Sequence, residues 1–370
     1  MIAVVKKAFD NLFGAGEAAV TVPPLDGAFQ PNTVLDTAEC VVEQTEPDNL
    51  IEYGGRVMFS SGGSLIRLAA DGRTEMLESF GAPISALASD GAGRIAIALE
   101  GQGILLRDDA SGERRIEANS FSGAHCVTAI AFAADGGLVV ASGSARHGPS
   151  DWARNLMERR HDGTVWHVPA GDPSRARRLA SGLAWPSGLL VRSAESTQIV
   201  VAEAWRHRLL GVAMKEEQPK VLLDNLPAYP GCLQADKGDV WLSCFAPRSQ
   251  LIEFVLREAT FRKRMLNEVE PEFWVAPAMR SGRSFREPLQ GGAVKQLGVL
   301  KPWAPTRSYG LLVRLDGALQ PRSSYHSRAD GSRHGITSAL ATADGLLVTS
   351  RGGDALLRLK PDASRGGEKQ

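Results

Sequence analysis

The sequence predicts an all-β chain folded as a six-bladed β-propeller with helical cap insertions, and two observations carry that reading. A four-residue turn frame recurs six times: Pro47-Asp48-Asn49-Leu50, Ile84-Ser85-Ala86-Leu87, Val127-Thr128-Ala129-Ile130, Pro186-Ser187-Gly188-Leu189, Pro230-Gly231-Cys232-Leu233 and Arg333-His334-Gly335-Ile336. A turn and an apolar strand then follow most frames. Gly54-Gly55 precedes residues 56–60, Asp90-Gly91 precedes 95–99, Asp135-Gly136 precedes 138–142, Gly238-Asp239 precedes 240–243 and Asp344-Gly345 precedes 346–350. Repeats of roughly 40–50 residues with several strands each are the mark of a propeller, because one small sheet cannot bury its own faces and neighbours must do so.

Taken in order, residues 1–45 read as an N-terminal lead-in. It holds a short amphipathic helix and a Pro- and Gly-bearing arm (residues 22–32) that lies across the propeller or supplies a closing strand. Residues 46–361 are the propeller. Two insertions interrupt the repeat. In residues 146–160, Trp152, Leu156 and Arg160 fall on one helical face. The second insertion, residues 249–305, opens with Leu251, Ile252, Phe254, Val255, Phe261, Met265 and Leu266 at near-helical spacing, then turns rich in Pro, Trp and Gly. Both are expected to cap one face. Residues 362–370 are polar and Gly-rich and read as a flexible tail.

The first strand of a blade starts near the propeller axis, so the second slot of each frame supplies one residue to a ring around a single pocket. Those residues are Asp48, Ser85, Thr128, Ser187, Gly231 and His334. Blade six closes onto blade one, which sets His334 beside Asp48. A histidine oriented by a carboxylate is a general base near neutral pH; the alternative is a histidine bonded to a buried carbonyl. Ser187 or Cys232 would act as nucleophile or as hydrogen-bond donor to substrate, with Cys232 alternatively a small core filler. Thr128 adds a second hydroxyl. Tyr229 and Trp185 immediately precede their turns and either floor a pocket or pack between blades. Glu46 adds an acid at the start of blade one.

Composition removes other classes. The chain of 370 residues is 43% hydrophobic and 23% charged, with 42 basic and 42 acidic residues, so no bulk charge attracts nucleic acid or an anionic membrane. No run of about 18–20 apolar residues occurs, so no transmembrane helix is expected. Cys40, Cys126, Cys232 and Cys244 are widely spaced, and the apolar run at residues 2–5 is a poor match to an export signal. Reduced thiols and a cytoplasmic location are expected. Phosphate-loop, dinucleotide-loop and paired-cysteine zinc motifs are absent from the sequence.

From about residue 180 the wording becomes specific. Trp185-Pro186-Ser187-Gly188-Leu189 with the run 200–209 resembles the fourth blade of strictosidine-synthase-like proteins. Leu226-Pro227-Ala228-Tyr229-Pro230-Gly231, leading to Trp241-Leu242-Ser243, resembles the fifth, and residues 309–315 with 333–338 resemble the sixth. That family is related to gluconolactonases and paraoxonases. The resemblance implies a six-bladed propeller, lactone or ester hydrolysis in many members, amine–aldehyde condensation in another, and a calcium or similar divalent ion at the axial mouth. In metal-dependent relatives the ion is held by a Glu, two Asn and an Asp; the matching positions here are Asp48, Thr128, Ser187 and Gly231, of which only Asp48 keeps a carboxylate. The condensing enzyme carries an acid just past the position of His334, where this chain has Gly335-Ile336-Thr337. The expected function is a small-molecule hydrolase of lactone or ester type at the axial mouth. The alternatives are a propeller that binds a ligand or protein without catalysis, and an amine–aldehyde condensing enzyme using Glu46 or Glu203 as its acid.

Overall fold

In the computed structural model, which describes residues 22–192, 198–214, 218–288, 295–296, 299–300 and 306–360, six four-stranded antiparallel sheets stand around one axis. Their first strands are Pro47–Tyr53, Ile84–Ser89, Val127–Phe132, Pro186–Arg192, Ala228–Asp236 and Ile336–Thr342. These six strands pack side by side in a closed ring, blade six against blade one. Within a blade each strand pairs with the next strand of that blade in chain order, across the insertion in blade five, except in blade six. There the outermost strand is Glu39–Glu43, which comes from the lead-in and pairs antiparallel with Ala355–Leu359. An early segment thus clasps the last blade by supplying its fourth strand, and ties the two ends of the propeller together.

Burial runs from axis to rim and explains the strand composition. The second strands, such as Arg94–Leu99 and Leu138–Ser142, are apolar and almost wholly buried between neighbouring blades. The outermost strands Thr74–Ser79 and Gly112–Ile116 are mostly exposed and rich in Glu and Arg, Lys-like edge chemistry that discourages pairing with another chain. Before the clasp, residues 32–36 dock on blade five. Asn32 Nδ2 donates to the Ser324 carbonyl (2.9 Å), Asn32 Oδ1 accepts from the His326 amide (3.0 Å), and Leu35 is fully buried.

All six first strands share one irregularity. Each is bulged at the start of its pairing with the second strand, between Asp48 and Ile51, Ile84 and Ala86, Val127 and Ala129, Pro186 and Gly188, Pro230 and Leu233, and Ile336 and Ala339. A bulge re-aims the local side chain, and the re-aimed residue is the one that reaches the axis. Blades crowd here: a Cβ on Gly188 would run into the Gly231 carbonyl oxygen.

Helix α1 (Trp152–Glu158) lies in blade three's insertion, entered through a 3-10 turn, Pro149–Asp151. It ends at Arg159 in the left-handed region (φ 55°), one residue before Arg160, so Arg160 is not on the helix. In blade five's insertion the apolar periodicity divides into α2 (Gln250–Arg257) and α3 (Ala259–Glu268), broken at Glu258. Residues 289–294, 297–298 and 301–305 of that insertion lie outside the described residues, as do the amphipathic start of the chain (residues 1–21) and the tail from 361. No described helix is long and apolar enough to cross a membrane.

Candidate functional site

At one end of the axis the first strands open into a cavity of about 270 Å³. Asp48, Ser85, Thr128, Ser187 and Gly231 line it, as the turn frame of blades one to five requires. Blade six differs. Its first strand begins at Ile336, so the ring position is Thr337, three residues beyond His334. The frame Arg333-His334-Gly335-Ile336 sits in the loop ahead of the strand.

His334 is therefore not among the residues lining the cavity, and the expected His334–Asp48 pair does not form. His334 is buried beneath the mouth with both ring nitrogens committed. Nε2 lies 2.7 Å from the Arg328 carbonyl, which can only accept, so Nε2 carries the proton. Nδ1 then accepts from the Ser308 hydroxyl at 2.8 Å. Burial lowers its pKa below the usual 6.5. The arrangement is a serine–histidine pair sealed inside the protein, with Ser308 fully buried.

Asp48 faces the cavity and is paired instead with Arg351 (Oδ2 to Nη1, 3.2 Å), while its Oδ1 accepts from the Asn49 amide at 2.8 Å. Arg351 follows directly on the second strand of blade six, Gly345–Ser350. Glu100 occupies the same place in blade two, directly after Arg94–Leu99, and also lines the cavity. Its carboxylate accepts from the Ser150 amide (3.0 Å) and hydroxyl (2.5 Å), which ties blade two to the cap. Sequence reasoning missed both residues because it followed the first strands alone. The signal was a charged residue directly after an apolar second strand.

The hydroxyls of the ring are largely spoken for. Thr128 Oγ1 donates to the Pro186 carbonyl of the next blade (2.5 Å), and Ser187 Oγ to the Pro230 carbonyl of the blade after (2.7 Å). They stitch the inner strands together, and among the described residues each hydroxyl bonds only carbonyls, with no base to make it a nucleophile. Ser85 Oγ is buried at the cavity wall without a hydrogen-bond partner, which leaves it for a ligand. Cys232 also lines the cavity, but burial, with the Asp48 charge adding to it, pushes its thiol up to about 12. It is a neutral wall residue rather than a thiolate.

The rest of the wall is aromatic. Trp185, with φ 59° just before its strand, stacks on Trp205 (centroids 5.5 Å apart, 22° between planes), and Trp152 of α1 and Phe245 of blade five complete the surface. Met279 of the second insertion closes the mouth above Gly352, where a Cβ would collide with the Met279 carbonyl. Tyr229 does not floor this cavity. It is fully buried behind it, edge-on to Trp205 and 4.6 Å from the His207 ring. Glu46 is likewise outside the wall: its carboxylate binds Arg280 of the cap at 2.7 Å and anchors the insertion that carries Met279. Glu203 is wholly buried, accepting from the Ala184 amide (2.7 Å), Arg206 (3.0 Å) and Arg208 (2.5 Å).

The donor set does not suit a hard divalent cation, which takes six or more oxygens, several of them anionic. Asp48 is already neutralised by Arg351, the hydroxyls of Thr128 and Ser187 donate to carbonyls, Gly231 offers no side chain and the nearby sulfur is soft. Among the described residues no three His, Cys, Asp or Glu side chains come together in a metal-binding group.

No protein-family model matches the sequence, and none of the curated proteins matches it significantly. Solved structures do. A gluconolactonase from Xanthomonas campestris superposes with a TM-score of 0.55 at 13% identity, over 87% of this chain and 88% of its own. Regucalcin from Agrobacterium tumefaciens, a calcium-binding protein, superposes with a TM-score of 0.52 at 14% identity, over 88% of each chain. The likeness is one of fold: this chain is a six-bladed propeller, like the gluconolactonase and regucalcin.

Proposed function

We propose that the chain is a metal-independent hydrolase of small lactones or esters, working at the capped axial cavity with Asp48 and Arg351 as its working pair. The observation behind this reading is the carboxylate–guanidinium pair at the cavity wall (3.2 Å), in a pocket otherwise aromatic and shielded by Trp152 and Met279. In this reading Asp48 takes a proton from an attacking water, and the Arg351 guanidinium stabilises negative charge developing on the substrate's carbonyl oxygen. The bond formed is from water oxygen to acyl carbon; the bond broken is from acyl carbon to the alkoxy oxygen, which leaves with the proton. A carboxylate is a weak base, which suits activated acyl groups such as strained lactones rather than amides. The choice of lactones and esters rests on analogy with propellers of the same fold.

A second reading is favoured by one observation. The Thr128 and Ser187 hydroxyls are committed to structure and no histidine is among the described residues lining the cavity, so the site is equally built to hold a small molecule without turning it over. The condensing reaction is disfavoured, since neither Glu46 nor Glu203 reaches the cavity. A panel of lactones and esters, assayed with chelator present and with binding followed by tryptophan fluorescence, separates these. Turnover lost in Asp48→Asn with binding kept supports hydrolysis; binding without turnover of any member establishes the binding-only reading.

A further inference from the structure

We propose that Arg280 of the second insertion is a positioning residue for the Asp48–Arg351 pair: by holding Glu46, it keeps that carboxylate from drawing Arg351 away from the axial cavity. The inference rests on Asp48 and Arg351 being the working pair. Three carboxylates and three guanidinium groups meet where the chain passes from blade six to blade one, and they form one connected cluster. Asp354 binds Arg280 (Oδ2 to Nη1, 3.2 Å) and Arg283 (Oδ2 to Nη2, 2.8 Å), and Arg280 Nη2 donates to Glu46 Oε1 at 2.7 Å. Glu46 Oε2 lies 3.6 Å from Arg351 Nη2, and Arg351 Nη1 lies 3.2 Å from Asp48 Oδ2. Arg351 is thus shared unequally between two carboxylates, Asp48 at the cavity wall and Glu46 outside it.

The backbone fixes the members of this cluster. Asp354 (φ 51°) and Glu46 (φ 46°) both lie in the left-handed region, and the Glu46 amide donates to Asp354 Oδ1 at 2.9 Å. Arg280 follows Met279, whose carbonyl would collide with a Cβ at either Gly335 or Gly352, so the insertion rests directly on the backbone of blade six. Arg280 Nη2 also reaches the Arg351 carbonyl at 3.3 Å. With Arg280 in place, Glu46 has a nearer cation of its own, and Arg351 is left to Asp48. Without Arg280, two guanidinium groups face three carboxylates, and among the described residues Arg351 is the one cation still in ion-pair reach of Glu46. Coulombic attraction then favours a shift of Arg351 toward Glu46, and its guanidinium leaves the place where negative charge develops on the substrate's carbonyl oxygen. Arg280 itself is not among the residues lining the cavity, so it acts through Glu46 and Arg351.

The test is a pair of double-variant cycles in the intact protein, each substitution being at a partly exposed side chain. The first cycle reads melting temperature and needs no substrate. Arg280→Gln should lower it less in an Asp48→Asn background than in the parent, because Arg351 is then released to serve Glu46. Equal falls in the two backgrounds overturn the inference, whatever the assays show. The second cycle reads turnover per folded molecule on the best substrate of the panel. Arg280→Gln should lower kcat roughly fivefold with KM nearly unchanged, and by less than about twofold once Glu46→Gln has removed the competing carboxylate. Arg280→Lys, which keeps the charge, should retain most of the turnover. A loss that Glu46→Gln does not relieve would mean that Arg280 only anchors the insertion, and overturns the positioning role. A parent that turns over no member of the panel ends the hydrolase reading instead, and the melting cycle then decides this inference alone.

Discussion

The axial mouth and the polar seam beneath blades five and six are built from similar polar residues and do opposite things. The mouth holds Asp48, Glu100, Arg351 and the unpartnered Ser85 hydroxyl around open space. The seam holds Ser308, His334, Ser324, His326 and Tyr309, all buried, and their side chains bond to one another or to backbone carbonyls. In the seam the Tyr309 hydroxyl meets His326 Nδ1 at 3.0 Å and Ser324 Oγ meets Nε2 at 2.6 Å. The histidines and serines that promise hydrolytic chemistry in a sequence are here a buried structural network. Charged groups at strand ends face the open cavity instead. What separates the two regions is access to space rather than residue type.

The comparison is broken most severely by truncating the seam. His334→Ala removes the hydrogen bonds to the Ser308 hydroxyl and the Arg328 carbonyl and leaves a buried cavity, with an expected loss of about 2–4 kcal/mol in urea denaturation. Any turnover per folded molecule should be unchanged. A variant as stable as the parent would show that the network contributes little.

Acid should act on the seam in the same direction. Burial lowers His326 to about 4 from 6.5, and lowers His334 as well. The unfolded chain therefore binds protons more readily than the folded one between those values. The stabilisation is present in full above about pH 6.5 and is lost as pH falls toward 4, by up to about 3 kcal/mol for His326. In His326→Gln, stability measured across that window should fall less steeply than in the parent; parallel curves would remove His326 from the account.

Smaller effects sharpen the description of the mouth. Ser187→Ala removes the hydrogen bond to the Pro230 carbonyl between blades four and five and should cost about 1 kcal/mol. Ligand affinity should barely change if the hydroxyl is structural, whereas a large drop in affinity at unchanged stability would return Ser187 to the binding set. Chelator should leave the melting temperature where it is, since no hard-cation donor set exists at Asp48; a fall would show that one assembles there.

The fold was legible because the propeller repeats its own grammar, with Gly- or Asp-marked turns, apolar second strands and a frame whose second slot reaches the axis. Five of the six frames place their residue at the cavity. The sixth misleads because Arg333-His334-Gly335-Ile336 imitates the frame three residues early, and only the pairing of Ile336 with Ser350 sets the register. The positions of Thr128, Ser187, Cys232 and Trp185 on the wall follow from that frame. Tyr229 and Glu46 could not be placed by it, since an aromatic or acid just before a bulge faces the cavity or the cap according to local backbone twist. The place of Arg351 and Glu100 directly after an apolar second strand was a local signal, but their partners lie in distant segments, 351 with 48 and 100 with 150, and those pairings are not written in any local pattern.

The most direct test of the account compares Asp48→Asn with His334→Ala in one assay, on the substrate or ligand of the panel that the parent handles best, with chelator present and rates expressed per folded molecule. The account expects Asp48→Asn to lose turnover by about 100-fold or more with stability nearly unchanged, and His334→Ala to keep its turnover while losing stability. Turnover that survives Asp48→Asn and disappears in His334→Ala would contradict it.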